Sequence, residues 1–242
     1  MLEKAIEIQG LSKSYEKTQV IENFSLNIEW GSIYGLLGRN GAGKTTMIRM
    51  LTGLISKNSG EIKVSGRDPY ALDPVFWEQV SYVSEHSGFP PTYTVEGLLK
   101  ITRSFYNHWD EQMVEHLLEA FHVPKKKLIF GLSKGVQRAL AFILAMAHQP
   151  QILILDEPSA NLDVVARRIM LDALLEFIRS GEKRAVLFST HILSDLERVA
   201  DHLGIITNGR LVVDQPLDEL KESSGQNLED LFLEMTKKRS EK

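Results

Sequence analysis

The sequence predicts an α/β fold with a mostly parallel sheet, and three observations support this prediction. A glycine-rich stretch at residues 38–45 stands between an apolar segment and a segment of helical character. The apolar run of residues 152–155 is typical of a central parallel strand that is covered on both faces. Strand and helix patterns also alternate through the second half of the chain. A chain of 242 residues, 43% of them hydrophobic, is long enough to bury the core of such a fold.

The segments before the glycine-rich stretch predict an antiparallel β subdomain at the N-terminus. Apolar and polar residues alternate between residues 24 and 30, which is the period of a strand with one buried face. Residues 5–8 form a second apolar segment, and we expect the two segments to pair. Residues 33–37 then predict the buried strand that leads into the glycines, and residues 45–51 predict the helix that follows them.

The middle of the chain predicts an inserted helical subdomain. Residues 61–64, and then Tyr82 and Val83, predict two further strands, after which the character changes. Apolar residues at helical spacing follow the Pro90-Pro91 pair, at Val95, Leu98, Leu99 and Ile101 and again at Met113, Leu117, Leu118 and Phe121. We therefore predict an α-helical subdomain that spans approximately residues 86–150.

The remaining elements return the chain to the sheet. Residues 135–148 are apolar enough to form a buried helix, which Pro150 ends. The later patterns predict, in order, an amphipathic helix at residues 164–180, a buried strand at residues 185–189, a hairpin turn at Asn208-Gly209 and a C-terminal helical extension at residues 216–242. We treat residues 1–242 as a single domain.

The composition narrows the function classes. A formal net charge of −4 argues against a surface dominated by contacts to nucleic-acid phosphates, so we expect no nucleic-acid partner. The absence of cysteine excludes disulfides and thiolate metal sites and suits a reducing compartment. The sequence shows neither a secretory signal nor an apolar run of the ~18 residues that a membrane helix needs. We therefore expect a cytoplasmic protein that reaches a membrane only through a partner.

The stretch at residues 38–45 fits the phosphate-binding pattern GxxxxGK[ST] in the strand-to-helix context that this pattern requires. In such a turn the backbone N–H groups and the positive end of the helix face an anion. Lys44 then supplies a point charge to the β and γ phosphates, and the Thr45 hydroxyl is suited to bind Mg²⁺. The candidate nucleotide contacts are Gly38, Arg39, Asn40, Gly41, Ala42, Gly43, Lys44, Thr45 and Thr46. A chance match in a glycine-rich turn is the alternative.

Asp156 and Glu157 follow the apolar strand and are the candidate acids. A carboxylate at this point can hold Mg²⁺, directly or through water, against a bound nucleotide, and Asp156 is suited to that task. Glu157 is then placed beside the attacking water. Two adjacent acids are also favourable at the start of a helix, which is the alternative interpretation.

With these motifs in order, the chain resembles the ATP-binding cassette (ABC) ATPases, the nucleotide-binding subunits of ABC transporters, over roughly residues 5–215. Residues 132–136 resemble the LSGGQ signature, residues 152–156 the Walker B strand and residues 159–163 the D-loop. The resemblance implies a P-loop NTPase core with a mostly parallel sheet, an N-terminal antiparallel β subdomain and an inserted α-helical subdomain. It also implies ATP and Mg²⁺ as cofactors.

The resemblance implies further site residues. Ser133 and Gly135 of the signature would cap the γ-phosphate of an ATP bound by a second subunit, and Asp163 would act across the same dimer interface. His191 stands where the switch histidine belongs, and Tyr15 stands where an aromatic ring stacks on adenine. A structural histidine and a packing tyrosine are the alternatives.

The sequence departs from the family at several positions. Glu85 stands where a glutamine is usual, so the resemblance assigns it that catalytic and metal-binding position, although a carboxylate adds negative charge there. In the signature, Lys134 replaces a glycine and Val136 a glutamine, and Ala139 stands where an arginine is common. Lys134 either adds charge near a phosphate or points to solvent. These departures predict altered turnover.

Together these observations predict an ATP-hydrolysing subunit of an ABC transporter. It would dimerise around two ATP molecules, as a homodimer or with another ABC subunit, and drive a separately encoded membrane permease at the cytoplasmic face of the membrane. The catalytic residues implied are Lys44, Glu85, Glu157 and His191, and the metal ligands are Thr45, Glu85 and Asp156. The alternatives are an ABC ATPase without a transport role and a regulatory subunit that hydrolyses ATP weakly.

Overall fold

The computed structural model describes residues 4–71, 73–86, 88–181 and 183–224, and these residues form two β-sheets. The first sheet is antiparallel with strand order β2-β1-β4, where β1 is Lys4–Tyr15, β2 is Thr18–Glu29 and β4 is Ser59–Val64. The second has the order β5-β6-β7-β3-β8-β9 and consists of β3 (Ile33–Leu37), β5 (Val80–Val83), β6 (Ile152–Asp156), β7 (Ala185–Thr190), β8 (His202–Thr207) and β9 (Arg210–Pro216). Its strands are parallel except β9. The predicted α/β fold class is confirmed.

Helices cover the parallel sheet, and this coverage explains its apolar strands. Every residue of β3, β6 and β7 is buried, as expected for strands packed on both faces. The helices are α1 (Lys44–Leu51), α2 (Pro74–Gln79), α3 (Val95–Arg103), α4 (Glu111–Ala120), α5 (Lys134–Ala147), α6 (Val164–Arg179), α7 (Leu193–Val199) and α8 (Leu217–Ser224). No helix in the described part of the chain is long and apolar enough to cross a membrane.

The antiparallel sheet confirms the predicted alternation and extends it. Phe24, Leu26 and Ile28 are buried and pack with α1 and one face of the parallel sheet in a single apolar cluster. Strand β1 is longer than the predicted residues 5–8, because register shifts let it bend and pair with β2 on one side and β4 on the other.

Helices α3, α4 and α5 form where the apolar spacing predicts them. Thr94 caps α3 by accepting a hydrogen bond from the backbone N–H of Gly97 at 3.1 Å, and Asp110 caps α4 by accepting one from that of Met113 at 2.9 Å. Their buried residues join those of α5 and α6 in a second apolar cluster on the opposite face of the sheet. Helix α5 thereby ties the helical segment to the sheet.

Two short helices, α2 and α7, were not predicted. For α2 the sequence does carry a signal, since an aspartate followed by a proline is typical of a helix start. In the structure Asp73 accepts a hydrogen bond from the N–H of Val75 at 3.0 Å, and Pro74 occupies the first turn. Of the predicted C-terminal extension, α8 covers Leu217–Ser224, and residues 225–242 lie outside the described residues.

The predicted hairpin turn at Asn208-Gly209 joins β8 to β9, with positive φ angles at both residues. The Gly209 N–H donates to the carbonyl of Ala42 at 3.0 Å, and the Gly209 carbonyl accepts from the N–H of Glu22 at 3.0 Å. The hairpin therefore links the glycine-rich loop to the antiparallel sheet.

A buried histidine lies at the end of α5. The His148 ring is 4% exposed and stacks on Tyr106, with ring centroids 3.9 Å apart and planes 12° apart. Burial, aided by the charge of Arg184, lowers the pKa of His148 to about 4. The folded protein therefore keeps this imidazole neutral at pH values where an unfolded chain takes up a proton.

This shift predicts an acid-dependent loss of stability. The unfolded histidine binds its proton near pH 6.5 and the folded one near pH 4, so the contribution of His148 is complete above pH 6.5 and is lost as the pH falls towards 4. The free energy of unfolding should decline by at most about 3 kcal/mol from this group. Urea unfolding of His148→Phe at several pH values should show a flatter decline than the parent chain, whereas replacing the exposed His116 should leave the decline in place. Equal slopes for the parent and His148→Phe would contradict the assignment.

Candidate active site

The glycine-rich loop runs from the end of β3 to the first residue of α1. Gly43 caps α1 with φ 109°, a backbone conformation that side chains avoid. A Cβ atom on Gly43 would also lie 2.7 Å from Ile21 Cδ1 and 3.0 Å from the Val20 carbonyl oxygen. The first turn of α1 carries no acidic residue, so its free N–H groups and positive dipole end remain available to an anion. The cradle thus fits phosphate.

Lys44 is held by oxygen atoms on both sides. Its side chain is 6% exposed, and its ammonium donates to the carbonyl of Gly38 at 2.6 Å and forms an ion pair with Glu157 Oε1 at 3.1 Å. The predicted phosphate-binding cation and the predicted acid therefore lie in direct contact.

Ser189 organises the two adjacent acids. Asp156 ends β6 and pairs in register with Ser189 on β7, whose hydroxyl donates to Asp156 Oδ1 at 2.7 Å. The backbone N–H of Glu157 donates to the Ser189 hydroxyl at 3.1 Å, and Glu157 adopts a positive φ of 50°. Sequence reasoning missed Ser189. The available signal was a polar residue near the end of a buried strand.

Asp156 offers a place for a cation. Its Oδ2 atom is buried and has no hydrogen-bond partner in the part of the chain that the structure describes. Burial raises the pKa of Asp156, and hydrogen bonding to the Ser189 and Thr45 side chains opposes that rise. An orphaned carboxylate oxygen beside a threonine hydroxyl fits Mg²⁺. Among the described residues no group of three or more His, Cys, Asp or Glu side chains could hold a metal. A magnesium ion at Asp156 would therefore take at most one further carboxylate from these residues and complete its shell with hydroxyl, water or phosphate oxygens.

Glu157 also contacts His191. The Glu157 Oε2 atom lies 2.9 Å from His191 Nδ1, and the His191 ring, just beyond the end of β7, is half exposed. The carboxylate is thus oriented by Lys44 on one side and by an imidazole on the other, which is an arrangement that can hold a water molecule and accept a proton.

A cavity of about 370 Å³ joins most of the predicted nucleotide and metal residues. It is lined by Val20, Arg39, Asn40, Gly41, Gly43, Lys44, Thr45, Thr46, Glu85 and Glu157. Gly38 contributes its carbonyl to Lys44, and Ala42 is buried behind the loop. Glu85, from the loop after β5, faces the same cavity as Lys44, as a ligand to a shared metal would.

The signature residues lie elsewhere. Ser133 caps α5, its hydroxyl accepting from the N–H of Val136 at 3.3 Å, and a Cβ on Gly135 would lie 2.7 Å from the carbonyl oxygen of Asn161. Asp163 caps α6 by accepting from the N–H of Ala166 at 2.8 Å. Neither Ser133, Gly135 nor Asp163 lines the cavity around Lys44.

Tyr15 also lies outside that cavity. It ends β1, its side chain is 47% exposed, and the Lys13 ammonium lies 5.1 Å from its ring centroid. The exposed ring leaves area on which a planar base can stack.

Arg138 is a buried cation that sequence reasoning missed. It lies on α5 with 5% of its surface exposed, and its guanidinium donates to the carbonyls of Ser84, at 2.6 Å, and Glu85. Burial lowers the pKa of Arg138, and the charges of nearby acids oppose that shift. The signal was present in the sequence, since Arg138 is a charge inside the apolar stretch that predicts α5 and directly precedes Ala139.

Comparisons with known proteins agree on one family. A family model described as ABC transporter matches residues 21–160. The ABC transporter ATP-binding protein YtrB of Bacillus subtilis (strain 168) is 34% identical over 217 residues, which are 90% of this chain and 74% of that protein. The bacitracin transport ATP-binding protein BcrA of Bacillus licheniformis is 34% identical over 226 residues, 93% of this chain and 74% of BcrA. A solved structure of an ATP-binding subunit of an ABC transporter has a TM-score of 0.85 at 28% identity and covers 95% of this chain and 98% of that chain.

Removing the Lys44 ammonium should abolish nucleotide binding. Lys44→Ala should weaken ATP affinity on the order of 100-fold or more, because charge-assisted contacts to phosphate are lost. Isothermal titration with ATP measures the effect, and circular dichroism establishes that the variant is folded. Lys63→Ala, an exposed lysine on β4, serves as the control and should bind ATP as the parent chain does. Unaltered ATP affinity in Lys44→Ala would refute the assignment of the cradle.

Proposed function

Because this chain belongs to the ABC transporter family of ATPases, we propose that it is the ATP-hydrolysing subunit of a transporter whose permease is a separate chain. The observation that carries the proposal is the contact of Glu157 with both Lys44 and His191 at the phosphate cradle. A chain that only bound nucleotide would need the cradle but would not need a carboxylate oriented by these two groups.

In the proposed reaction, water attacks the γ-phosphate in line with the leaving group. The cradle amides and Lys44 bind the phosphates and stabilise the charge that develops on them. Glu157 accepts the proton of the attacking water, and His191, in contact with Glu157 Oε2, keeps that carboxylate in position. Thr45, Asp156 and Glu85 would hold Mg²⁺, which supplies charge stabilisation at the phosphate oxygens when it is bound.

A second subunit would complete each site. The cavity around Lys44 lacks Ser133 and Gly135, although these residues lie at the start of a helix that is suited to cap an anion. One chain therefore carries a phosphate half and a signature half that do not meet each other. We propose that two subunits pair head to tail around two ATP molecules, so that ATP binding closes the dimer and hydrolysis releases it.

Glu85 bears on the alternative of a regulatory subunit that hydrolyses ATP weakly. A carboxylate in place of a glutamine adds negative charge near the γ-phosphate, and Glu85 does line the cradle cavity. The oriented Glu157 favours hydrolysis nevertheless. We therefore keep turnover as the function and expect Glu85 to change its rate and its magnesium requirement.

The helical segment offers a surface for the permease. Phe105 is 75% exposed and Phe130 is 70% exposed, and large apolar side chains at such exposure indicate an interaction surface. Tyr93 and Leu128 are also partly exposed. They lie near Phe130, because the segments 93–95 and 127–130 are hydrogen-bonded to each other. We propose that this surface binds the cytoplasmic side of the permease and that the subunit reaches the membrane through it.

Mixing two inactive variants tests the composite site. Lys44→Ala spoils the phosphate half, and Ser133→Arg should block the signature half by its bulk and by loss of the hydroxyl, so each homodimer should be inactive. In a mixture with random exchange about half the dimers pair one chain of each kind, and each of these contains one intact site, so about a quarter of the parent ATPase activity should return. Phosphate release measures the recovery. Normal hydrolysis by Ser133→Arg alone would remove the signature from the active site.

The permease surface is tested by charge substitution. Phe105→Asp combined with Phe130→Asp should abolish copurification of the chain with detergent-solubilised membranes of its own cells, because a carboxylate cannot be buried in an apolar interface without a partner. Leu54→Asp, which changes a residue that is 55% exposed outside the helical segment, is the matched control and should copurify like the parent chain. Equal recovery of both variants would place the docking surface elsewhere.

A further inference from the structure

Arg138 joins two elements that the sequence places far apart. It extends from the second turn of α5, the helix that begins at the signature, to the loop that follows β5. Its Nη1 and Nη2 atoms donate to two successive carbonyl groups, those of Ser84 and Glu85. A guanidinium is a rigid planar fork, so two bonds from it fix both the distance and the orientation of this loop relative to α5.

The surroundings of Arg138 indicate more than packing. A cavity of about 200 Å³ lies beside it and is lined by the Glu85 loop, the start of α5 and the segment at Ala160 and Asn161. The charges of Glu85, Asp156 and Glu157 all act on the guanidinium. Arg138 therefore lies where the metal side of the site, the signature helix and the segment after Glu157 converge.

Burying an arginine is costly unless its charge and its donors are satisfied. Two carbonyl acceptors and three nearby acids supply that compensation, and the Glu85 loop contributes both carbonyls and one of the acids. Movement of the loop away from α5 would leave the donors of the guanidinium without both of these acceptors. The loop and the helix are thus coupled energetically.

We propose that Arg138 is a positioning residue for the ATPase site, which fixes the Glu85 loop to the signature helix so that the two move as one unit. This inference rests on the proposed function, since Glu85 is there a magnesium ligand and α5 carries the signature for the opposite site. Through Arg138, a change at the metal side of one site displaces the signature that caps the other. Arg138 itself does not line the cavity around Lys44.

Hydrogen exchange of the protein without nucleotide tests whether Arg138 fixes the Glu85 loop to α5. In Arg138→Met, the amides of residues 83–86 should exchange on the order of tenfold faster, because the loop loses both of its bonds to α5. Arg184→Met is the matched control, since Arg184 is a half-buried arginine that also donates to two successive carbonyls, those of Gln149 and Pro150, away from this loop. It should leave exchange at residues 83–86 unchanged. Unchanged exchange in Arg138→Met, or an equal increase in Arg184→Met, would overturn the proposal.

Magnesium dependence tests the functional part. Fluorescent ATP titrated in EDTA should bind Arg138→Met and the parent chain within about twofold, because Lys44 and the cradle are intact. The magnesium concentration that gives half of the magnesium-dependent gain in nucleotide affinity should rise on the order of tenfold. This is the effect expected when a residue that orients a metal ligand is removed. Arg138→Lys keeps the charge but lacks the fork. Its free energy of unfolding should therefore equal that of the parent chain, while the amides of residues 83–86 should still exchange as fast as in Arg138→Met. Full restoration of loop protection by lysine would overturn the role of the fork.

A double-mutant cycle separates this inference from the role of Glu85. If Arg138 acts through the loop, Arg138→Met should add little to the magnesium requirement of Glu85→Gln, and the two effects should be strongly non-additive. Additive effects would overturn the coupling. If Glu85→Gln alone leaves the magnesium requirement unchanged, Glu85 is not a metal ligand and the proposed function needs revision. Even if Glu85 is not a metal ligand, the hydrogen-exchange result for Arg138→Met still decides whether Arg138 positions the loop.

Discussion

The site depends on a carboxylate that is completely withdrawn from solvent. Asp156 has no exposed surface, and an isolated buried charge costs several kcal/mol in a protein interior. Within the described residues the Ser189 hydroxyl bonds to Oδ1, while Oδ2 has no hydrogen-bond partner. The cations Lys44 and Arg138 approach this acidic region from two different helices, and each is itself buried and held by backbone carbonyls. The protein therefore holds its charges in fixed positions before any ligand arrives, which is the condition for electrostatic catalysis.

The sheet explains why these groups meet. Strands β5, β6, β7 and β3 are neighbours and parallel, so their carboxyl ends lie along one edge of the sheet. Each of these strands ends at a part of the site: the Glu85 loop follows β5, Asp156 ends β6 and Glu157 follows it, His191 follows β7, and the phosphate cradle follows β3. Four stretches that are distant in sequence thereby become adjacent, and the helices that follow them cover the two faces. The signature belongs to none of these strand ends, which accounts for its position outside the cradle cavity.

Local patterns sufficed for the fold class and for the cradle. Apolar runs at residues 33–37, 152–155 and 185–189 need only local sequence to be identified as buried strands, and the structure confirms them. The sequence could not reveal which distant groups meet a given side chain. Ser189, Arg138 and the stacking of Tyr106 on His148 all depend on tertiary placement, so sequence reasoning missed them. The roles of all the predicted site residues stay predictions, and those of Tyr15, Ser133, Gly135 and Asp163 further involve a ligand or a second subunit.

The hydrogen bond between Gly209 and Ala42 makes the phosphate loop depend on a segment that is synthesised after it. The phosphate loop is synthesised before the hairpin that supports it at Ala42 and before the strands β7 and β8 that flank β3. A ribosome-bound chain that has yet to release residue 209 therefore holds the glycines without their final support, and one that has yet to release β7 leaves β3 without either of its neighbours. Long-range pairing of this kind is slow to form and leaves apolar strands exposed meanwhile. The emerging polypeptide should thus acquire its affinity for nucleotide only after β7, β8 and the turn at residues 208–209 have left the ribosome.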